Sequence, residues 1–321
     1  MRPEILAVSR LPDSLLGSLD QRFSLHRQTH ETDPVAFGSI AGRIRGVVVG
    51  GKFTLPRELI DRLPALEIAS VVGAGYDGVD VAAAVERNIL VTHTPVVHAS
   101  DVADFAMGLV LSLRRRIPQA DQFVREGRWR SGLMPFASAV SGSRLGLVGM
   151  GHVGVALAAR ARAFNMAVAY TARTEKPELP YRFHAKVADL AAQVDFLVLA
   201  ACGGAATRHI VNAEVLDALG PEGHLVNVAR GSLIDQGALI EALRKQRIAG
   251  AALDVFEGEP NVHPDLVAMP NVILTPHIAS ATNQTRQAMF DLTMESLCAH
   301  FEGARPAHLI PECSEVFRTM R

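Results

Sequence analysis

The sequence predicts an α/β fold with two parallel sheets, one α/β unit being inserted into the other. Three observations predict it. Short apolar runs alternate with helical segments along most of the 321 residues, the rhythm of strands joined by helical crossovers. A glycine cluster, Gly149-Met150-Gly151-His152-Val153-Gly154, falls in mid-chain. A long helical pattern closes the second run of strands and is placed to return to the first unit.

In chain order, residues 4–8 read as a strand and 11–20 as a helix. Residues 46–50 read as a buried strand ending in glycine, 56–63 as a helix, and 68–72 as a strand running into Gly73-Ala74-Gly75-Tyr76-Asp77. Residues 101–113 form a long apolar helix, with Ser100 placed to cap it and Pro118 to end it. The second unit spans 144 to about 280, with strands at 145–148, 168–170, 196–200, 225–228, 251–255 and 272–275. Residues 284–301 form the last helix, and the tail from 306 is polar without a clear pattern. The expected partition is an outer domain of 1–99 plus 287–321 and an inserted domain of 100–286, with a cleft between them.

Composition excludes several classes. The net charge of −1 argues against a general nucleic-acid binder. Arg114-Arg115-Arg116 is short and follows an apolar helix, so it reads as a solvated helix end. No apolar run approaches the length of a membrane span, and the first ten residues lack the apolar core of a signal peptide. The three cysteines, Cys202, Cys298 and Cys313, are far apart and odd in number. Free thiols in a cytoplasmic protein are expected, with no metal site.

The glycine cluster follows the apolar run Leu145-Gly146-Leu147-Val148 and precedes an Ala-rich helical run from Val155 to Phe164. Strand, glycine turn and helix together are the context in which G-x-G-x-x-G binds a dinucleotide. Gly149 allows the tight turn, Gly151 lets backbone approach a diphosphate, and Gly154 lets helix pack on sheet. The diphosphate rests at the helix N-terminus, on unpaired N–H groups that include those of His152 and Val153.

Three polar residues follow the late strands. Arg230 comes just after 225–228, Glu259 in Glu257-Gly258-Glu259-Pro260 after the strand holding Asp254, and His277 in Thr275-Pro276-His277 after 272–275. The carboxyl ends of strands are where open α/β sheets bind ligands. An arginine there offers a planar fork to a carboxylate. A histidine can give a proton to a developing alkoxide, and a glutamate can hold its ring and raise its pKa. The trio suits reduction of a 2-keto acid by a nicotinamide.

These residues carry a resemblance that covers nearly the whole chain. Val72-Gly73-Ala74-Gly75-Tyr76-Asp77-Gly78-Val79-Asp80, the glycine cluster, Asn227-Val228-Ala229-Arg230-Gly231-Ser232, Leu253 to Pro260 and Pro276-His277-Ile278-Ala279-Ser280 stand in one order. The chain resembles the D-isomer-specific 2-hydroxyacid dehydrogenases. The resemblance implies a flavodoxin-like outer domain, a Rossmann-like cofactor domain inserted in it, and a homodimer. It implies Arg230, Glu259 and His277 as the catalytic set, and a carboxamide contact from Asp254. It places the substrate carboxylate on the Val72-Gly73-Ala74 backbone. Cys202, Thr207, Val228 and Ser280 complete the expected cofactor set. Three positions depart from the family pattern. Gly203 stands where proline is common, which is expected to loosen its loop. Ala279 replaces a usual glycine, and His98 a usual apolar residue.

An NAD enzyme of this fold carries an acid at the end of the second strand of the cofactor domain. Here that strand runs into Thr171-Ala172-Arg173-Thr174, with no acid before Glu175. Arg173 and Thr174, helped by Lys176, suit a 2′-phosphate, so NADP(H) is expected over NAD(H). The stretch resembles the NADPH-dependent glyoxylate/hydroxypyruvate reductase branch, which includes plant hydroxyphenylpyruvate reductases. Lys52, in Gly50-Gly51-Lys52-Phe53, is a further substrate candidate, against the alternative of a solvated strand end. Trp129 suits packing, a pocket or a dimer contact. The alternatives are an NAD-linked enzyme for D-lactate, formate, D-3-phosphoglycerate or hydroxyphenylpyruvate, and a dinucleotide-sensing partner protein like the family's corepressors.

Overall fold

Apolar runs only four or five residues long become parallel strands here because helices cover both faces of each sheet, so no polar alternation is needed. The computed structural model describes residues 2–50 and 53–319. It divides into two compact units, Met1–Val97 with Thr282–Arg321, and His98–Ala281. The seams fall at the starts of two long helices, Ala99–Arg115 and Asn283–Phe301. The breaks read from sequence, after 99 and after 286, lie inside those helices. A helix is stiff, so the chain changes unit before it.

The first unit holds β1 (Glu4–Ala7), β2 (Ser24–Arg27), β3 (Ile44–Gly50), β4 (Ile68–Val72) and β5 (Leu90–Thr92). They form a five-stranded parallel sheet ordered β2-β1-β3-β4-β5, the flavodoxin-like winding. The helix Asn283–Phe301 belongs to this unit and sets Met289, Phe290 and Leu297 into its core. Its first turn is capped by the Thr282 hydroxyl, which accepts from the Thr285 N–H at 3.1 Å.

The second unit holds β6 (Arg144–Val148), β7 (Ala167–Thr171), β8 (Arg182–Phe183), β9 (Phe196–Leu199), β10 (His224–Asn227), β11 (Gly250–Leu253) and β12 (Val272–Leu274). Their order is β12-β11-β10-β9-β6-β7-β8, parallel throughout. Winding reverses between β6 and β9, and a doubly wound sheet binds its ligand at the carboxyl ends beside that reversal. The helices Ala99–Arg115 and His152–Ala163 close on each other through alanines, with Ala103, Ala106, Ala158 and Ala161 all fully buried. Small side chains let the two backbones approach.

Several local expectations are corrected. Ser100 does not cap its helix. The cap position is His98, and the Ser100 hydroxyl instead accepts from the Arg160 guanidinium at 2.7 Å. Pro118 does not end that helix either; Arg116 in the left-handed region does, and Pro118 opens the next helix, Ile117–Arg125. There the missing N–H of proline costs nothing. The tail carries structure over its described residues, with a helix at Ser314–Thr319. Ile310 N–H donates to Val91 C=O at 3.0 Å, and Ile310, Cys313 and Val316 join the core of the first unit. These apolar residues are spaced too irregularly to show a period in sequence.

One buried histidine gives the second unit an acid-sensitive contact. His224 stacks on Phe196 with ring centroids 5.2 Å apart. Burial, with the Arg114 guanidinium close by, pushes its pKa from 6.5 down to about 4. Between those pH values the unfolded chain binds the proton and the folded one does not, so stability falls as pH falls. The contribution is intact above pH 6.5, and about 3 kcal/mol of it has been lost by pH 4. Urea unfolding at a series of pH values should show this slope. His224→Phe, which keeps a ring on Phe196, should flatten it, and an unchanged slope would assign the acid loss to other groups.

Candidate active site

The glycine turn follows β6. Gly149 has φ +101°, and a Cβ on it would lie 2.7 Å from the Ala201 backbone beyond β9. Gly154 is closed just as tightly, since its Cβ would fall 2.3 Å from the Gly149 carbonyl. Gly151 is different, for a Cβ there meets nothing within 4 Å. It occupies the N-cap of the helix His152–Ala163 and provides no side-chain cap. The first N–H groups, among them those of His152, Val153 and Gly154, are therefore left for an external anion. Two glycines shape the turn and the third opens it, which fits a cofactor diphosphate.

The end of β7 leads into Arg173 and Thr174, both exposed, with Lys176 half-buried beyond them. Among the described residues none accepts from or donates to the Arg173 side chain. After β9, the Thr207 hydroxyl donates to the Cys202 carbonyl at 2.8 Å and closes that loop. A Cβ on Gly203 would stand 3.0 Å from Arg230 Cγ. The glycine expected to loosen this loop thus gives Arg230 the space its side chain runs through.

Arg230 lies beyond β10, in a turn shaped by Asn227. The fully buried Asn227 amide donates to the Arg230 carbonyl at 2.8 Å and accepts from the Ala229 N–H at 3.0 Å. Gly231 lets this turn press onto the chain leaving β11, for its Cβ would overlap Phe256, 2.1 Å from the carbonyl carbon. His209 ties the Thr207 loop to the same segment through Glu257, at 2.8 Å.

His277 lies beyond β12. Its Nδ1 is 2.7 Å from Glu259 Oε2, and Glu259 Oε1 accepts from the Phe256 N–H at 3.0 Å. Both side chains are about one-quarter exposed, so the pair is reachable and still fixed. Facing a carboxylate, Nδ1 carries a hydrogen, and Nε2 is the ring nitrogen left open. His277 has φ +56°, a left-handed conformation uncommon outside glycine and asparagine. What holds it there is Asp254, which is buried beyond β11. Its Oδ1 accepts from the Thr275 hydroxyl at 2.6 Å and the Ile278 N–H at 2.9 Å, and its Oδ2 from the Ala279 N–H at 2.8 Å. Sequence reading assigned Asp254 to the cofactor alone and missed this latch. The nearby hydroxyl residue Thr275 was the available signal. Ala279 is buried in the core, Ser280 is half-buried beside it and Val228 is buried after β10.

In the first unit, β4 ends at Val72. The Gly73 N–H already donates to Val71 C=O at 3.0 Å, and the Ala74 carbonyl contacts His93 Nδ1 at 2.8 Å. Among the described residues the Ala74 N–H has no acceptor. Lys52 lies outside the described residues.

Comparison with known proteins gives a consistent picture. The family model described as D-isomer specific 2-hydroxyacid dehydrogenase, NAD binding domain, matches residues 107–279. A glyoxylate/hydroxypyruvate reductase of Arabidopsis thaliana is 42% identical over 300 residues, covering 93% of this chain and 96% of its own. A 2-ketogluconate reductase of Gluconobacter oxydans is 40% identical over 300 residues, covering 94% and 96%. Among solved structures, an NADPH-dependent glyoxylate/hydroxypyruvate reductase from Sinorhizobium meliloti, in complex with NADP and malonate, superposes with a TM-score of 0.93. It is 42% identical and covers 98% of each chain.

The Asp254 latch predicts a measurable dependence. Asp254→Ala strands two N–H groups and a hydroxyl and should cost about 3 kcal/mol of stability. With His277 released from its conformation, turnover should fall more than tenfold. A urea midpoint equal to the parent's would show that the loop keeps its shape without the carboxylate.

Proposed function

Because the chain belongs to the D-isomer specific 2-hydroxyacid dehydrogenase family, we propose that it reduces small 2-keto acids, hydroxypyruvate to D-glycerate and glyoxylate to glycolate, with NADPH preferred over NADH. It is an NAD(P)-dependent oxidoreductase. The observation that carries the reading is the His277–Glu259 pair, 2.7 Å apart beyond the carboxyl end of the second unit's parallel sheet. A bound dihydronicotinamide supplies the hydride. The chain does the rest. His277 holds at Nε2 the proton that goes to the keto oxygen as it becomes a hydroxyl. Glu259 fixes the ring through Nδ1. Arg230 takes the substrate carboxylate in its fork and polarises the keto oxygen. Gly149, Gly151 and Gly154 seat the diphosphate, and Arg173 with Thr174 takes the 2′-phosphate.

The NADPH preference is supported by the lack of an acid between β7 and Glu175 and by the Arg173 guanidinium exposed there. The NADP complex of the Sinorhizobium meliloti relative supports it as well. A homodimer is supported by the apolar residues that the segment 117–136 leaves in solvent. Phe136 is 99% exposed, Leu133 85% and Trp129 66%. Side chains of this size gathered on one short stretch mark a contact surface.

The decisive experiment follows NADPH and NADH oxidation side by side with glyoxylate, hydroxypyruvate, hydroxyphenylpyruvate and 2-ketogluconate. Turnover with NADPH and a two- or three-carbon acid should exceed all other combinations. His277→Ala should lower kcat by about a hundredfold or more and leave the NADPH Kd within about twofold. Tight NADPH binding without turnover on any acid would overturn the reductase reading in favour of a sensing protein. Light scattering should give twice the chain mass, and Leu133→Asp with Phe136→Asp should give a monomer. A dimer surviving both changes would place the interface elsewhere.

A further inference from the structure

The loop that carries Arg173 is closed by one side chain that no cofactor role accounts for. Tyr170, near the end of β7, is fully buried. Its hydroxyl accepts from the Lys176 N–H at 2.7 Å and lies 3.3 Å from the Lys176 carbonyl, to which it donates. One phenol thereby joins both ends of the loop, with Arg173 and Thr174 exposed at its tip. Among the described residues the backbone groups of Arg173, Thr174 and Glu175 make no hydrogen bond, and the Tyr170 hydroxyl is the side-chain group that closes the loop around them. The buried ring packs against Phe183 with centroids 5.5 Å apart, and the Tyr170 carbonyl accepts from the His184 N–H at 2.8 Å. One residue on, the Thr171 carbonyl accepts from the Gly149 N–H at 2.9 Å, tying the start of the loop to the glycine turn.

We propose that the Tyr170 hydroxyl is a positioning group for cofactor discrimination, holding the Ala172–Glu175 backbone so that Arg173 and Thr174 meet the 2′-phosphate without a further ordering cost. The proposal rests on the NADPH reading above. A loop ordered in advance binds more tightly than one ordered on binding, because the entropy has already been lost. Only a cofactor carrying the 2′-phosphate gains from that order. Removing the hydroxyl should therefore act on NADPH and spare NADH, although Tyr170 touches neither.

Tyr170→Phe keeps the ring and its packing and removes only the clamp. Kd values for NADPH and NADH, from titration of the bound reduced nicotinamide fluorescence, are compared for the parent, Tyr170→Phe, Arg173→Ala and the double variant. Tyr170→Phe should weaken NADPH about tenfold, the scale of one or two buried hydrogen bonds, and NADH less than about twofold. Arg173→Ala should weaken NADPH far more than NADH. In the Arg173→Ala background the Tyr170 change should have little further effect, since the two act through one contact. An equal loss for both cofactors would make Tyr170 merely structural. No loss, or full additivity in the double variant, would also overturn the proposal. A parent that binds both cofactors alike and ignores Arg173→Ala would instead overturn the phosphate reading, and this proposal with it. A parent that prefers NADPH through Arg173 isolates any failure to Tyr170.

Discussion

Asp254 is a buried carboxylate whose oxygens receive three hydrogen bonds from the Thr275–Ala279 segment. A carboxylate taken out of water is costly unless its lone pairs are met. Its donors all come from the loop after the neighbouring strand, so the position of that loop follows from the position of β11. The circuit then closes on itself. The loop presents His277, His277 meets Glu259, and Glu259 accepts from Phe256, two residues beyond Asp254. The left-handed His277 backbone is tolerable because its neighbours on both sides are fixed. Such a conformation persists only where the surroundings over-determine it.

Parallel register supplies the rest of the geometry. β10, β11 and β12 are paired in order, so the segments leaving them emerge side by side on one edge. Gly231 then brings the Arg230 turn against the Phe256 backbone at a distance no side chain would permit. The arginine and the His–Glu pair thus share an edge through backbone packing. Gly203 leaves room for the arginine stem at the next strand along.

The sequence showed the parts of this arrangement that are local. Apolar runs marked the buried strands, because a strand covered on both faces has no polar positions to hide it. The positions of Arg230, Glu259 and His277 just past such runs were readable for the same reason. The elements it hid are those with little burial of their own. β2 has no fully buried residue and β8 has only two residues, so neither stands out from a loop. Contacts between distant residues were hidden as well. Asp254 meets partners 21 to 25 positions away, and only the strand order β12-β11-β10 brings them together. Tyr170 was unreadable for a different reason. A tyrosine in a strand looks like core, and its ring is core, while its hydroxyl holds a loop six residues on.

The fixed pair also bears on substrate range. Nδ1 is committed to Glu259, and Glu259 is anchored by the Phe256 N–H, so the ring has one open nitrogen and one orientation. In the role proposed for it, a proton delivered from a fixed Nε2 would serve any acid that presents a keto oxygen next to a carboxylate, whatever lies beyond that group. Relatives near 40% identity are named for glyoxylate/hydroxypyruvate, hydroxyphenylpyruvate and 2-ketogluconate. Those acids differ in length, aromaticity and hydroxylation and share only the 2-keto acid head. In this chain the imidazole is held from behind, by protein. Asp254 and Glu259 hold His277 in that way, and the substrate has no part in it.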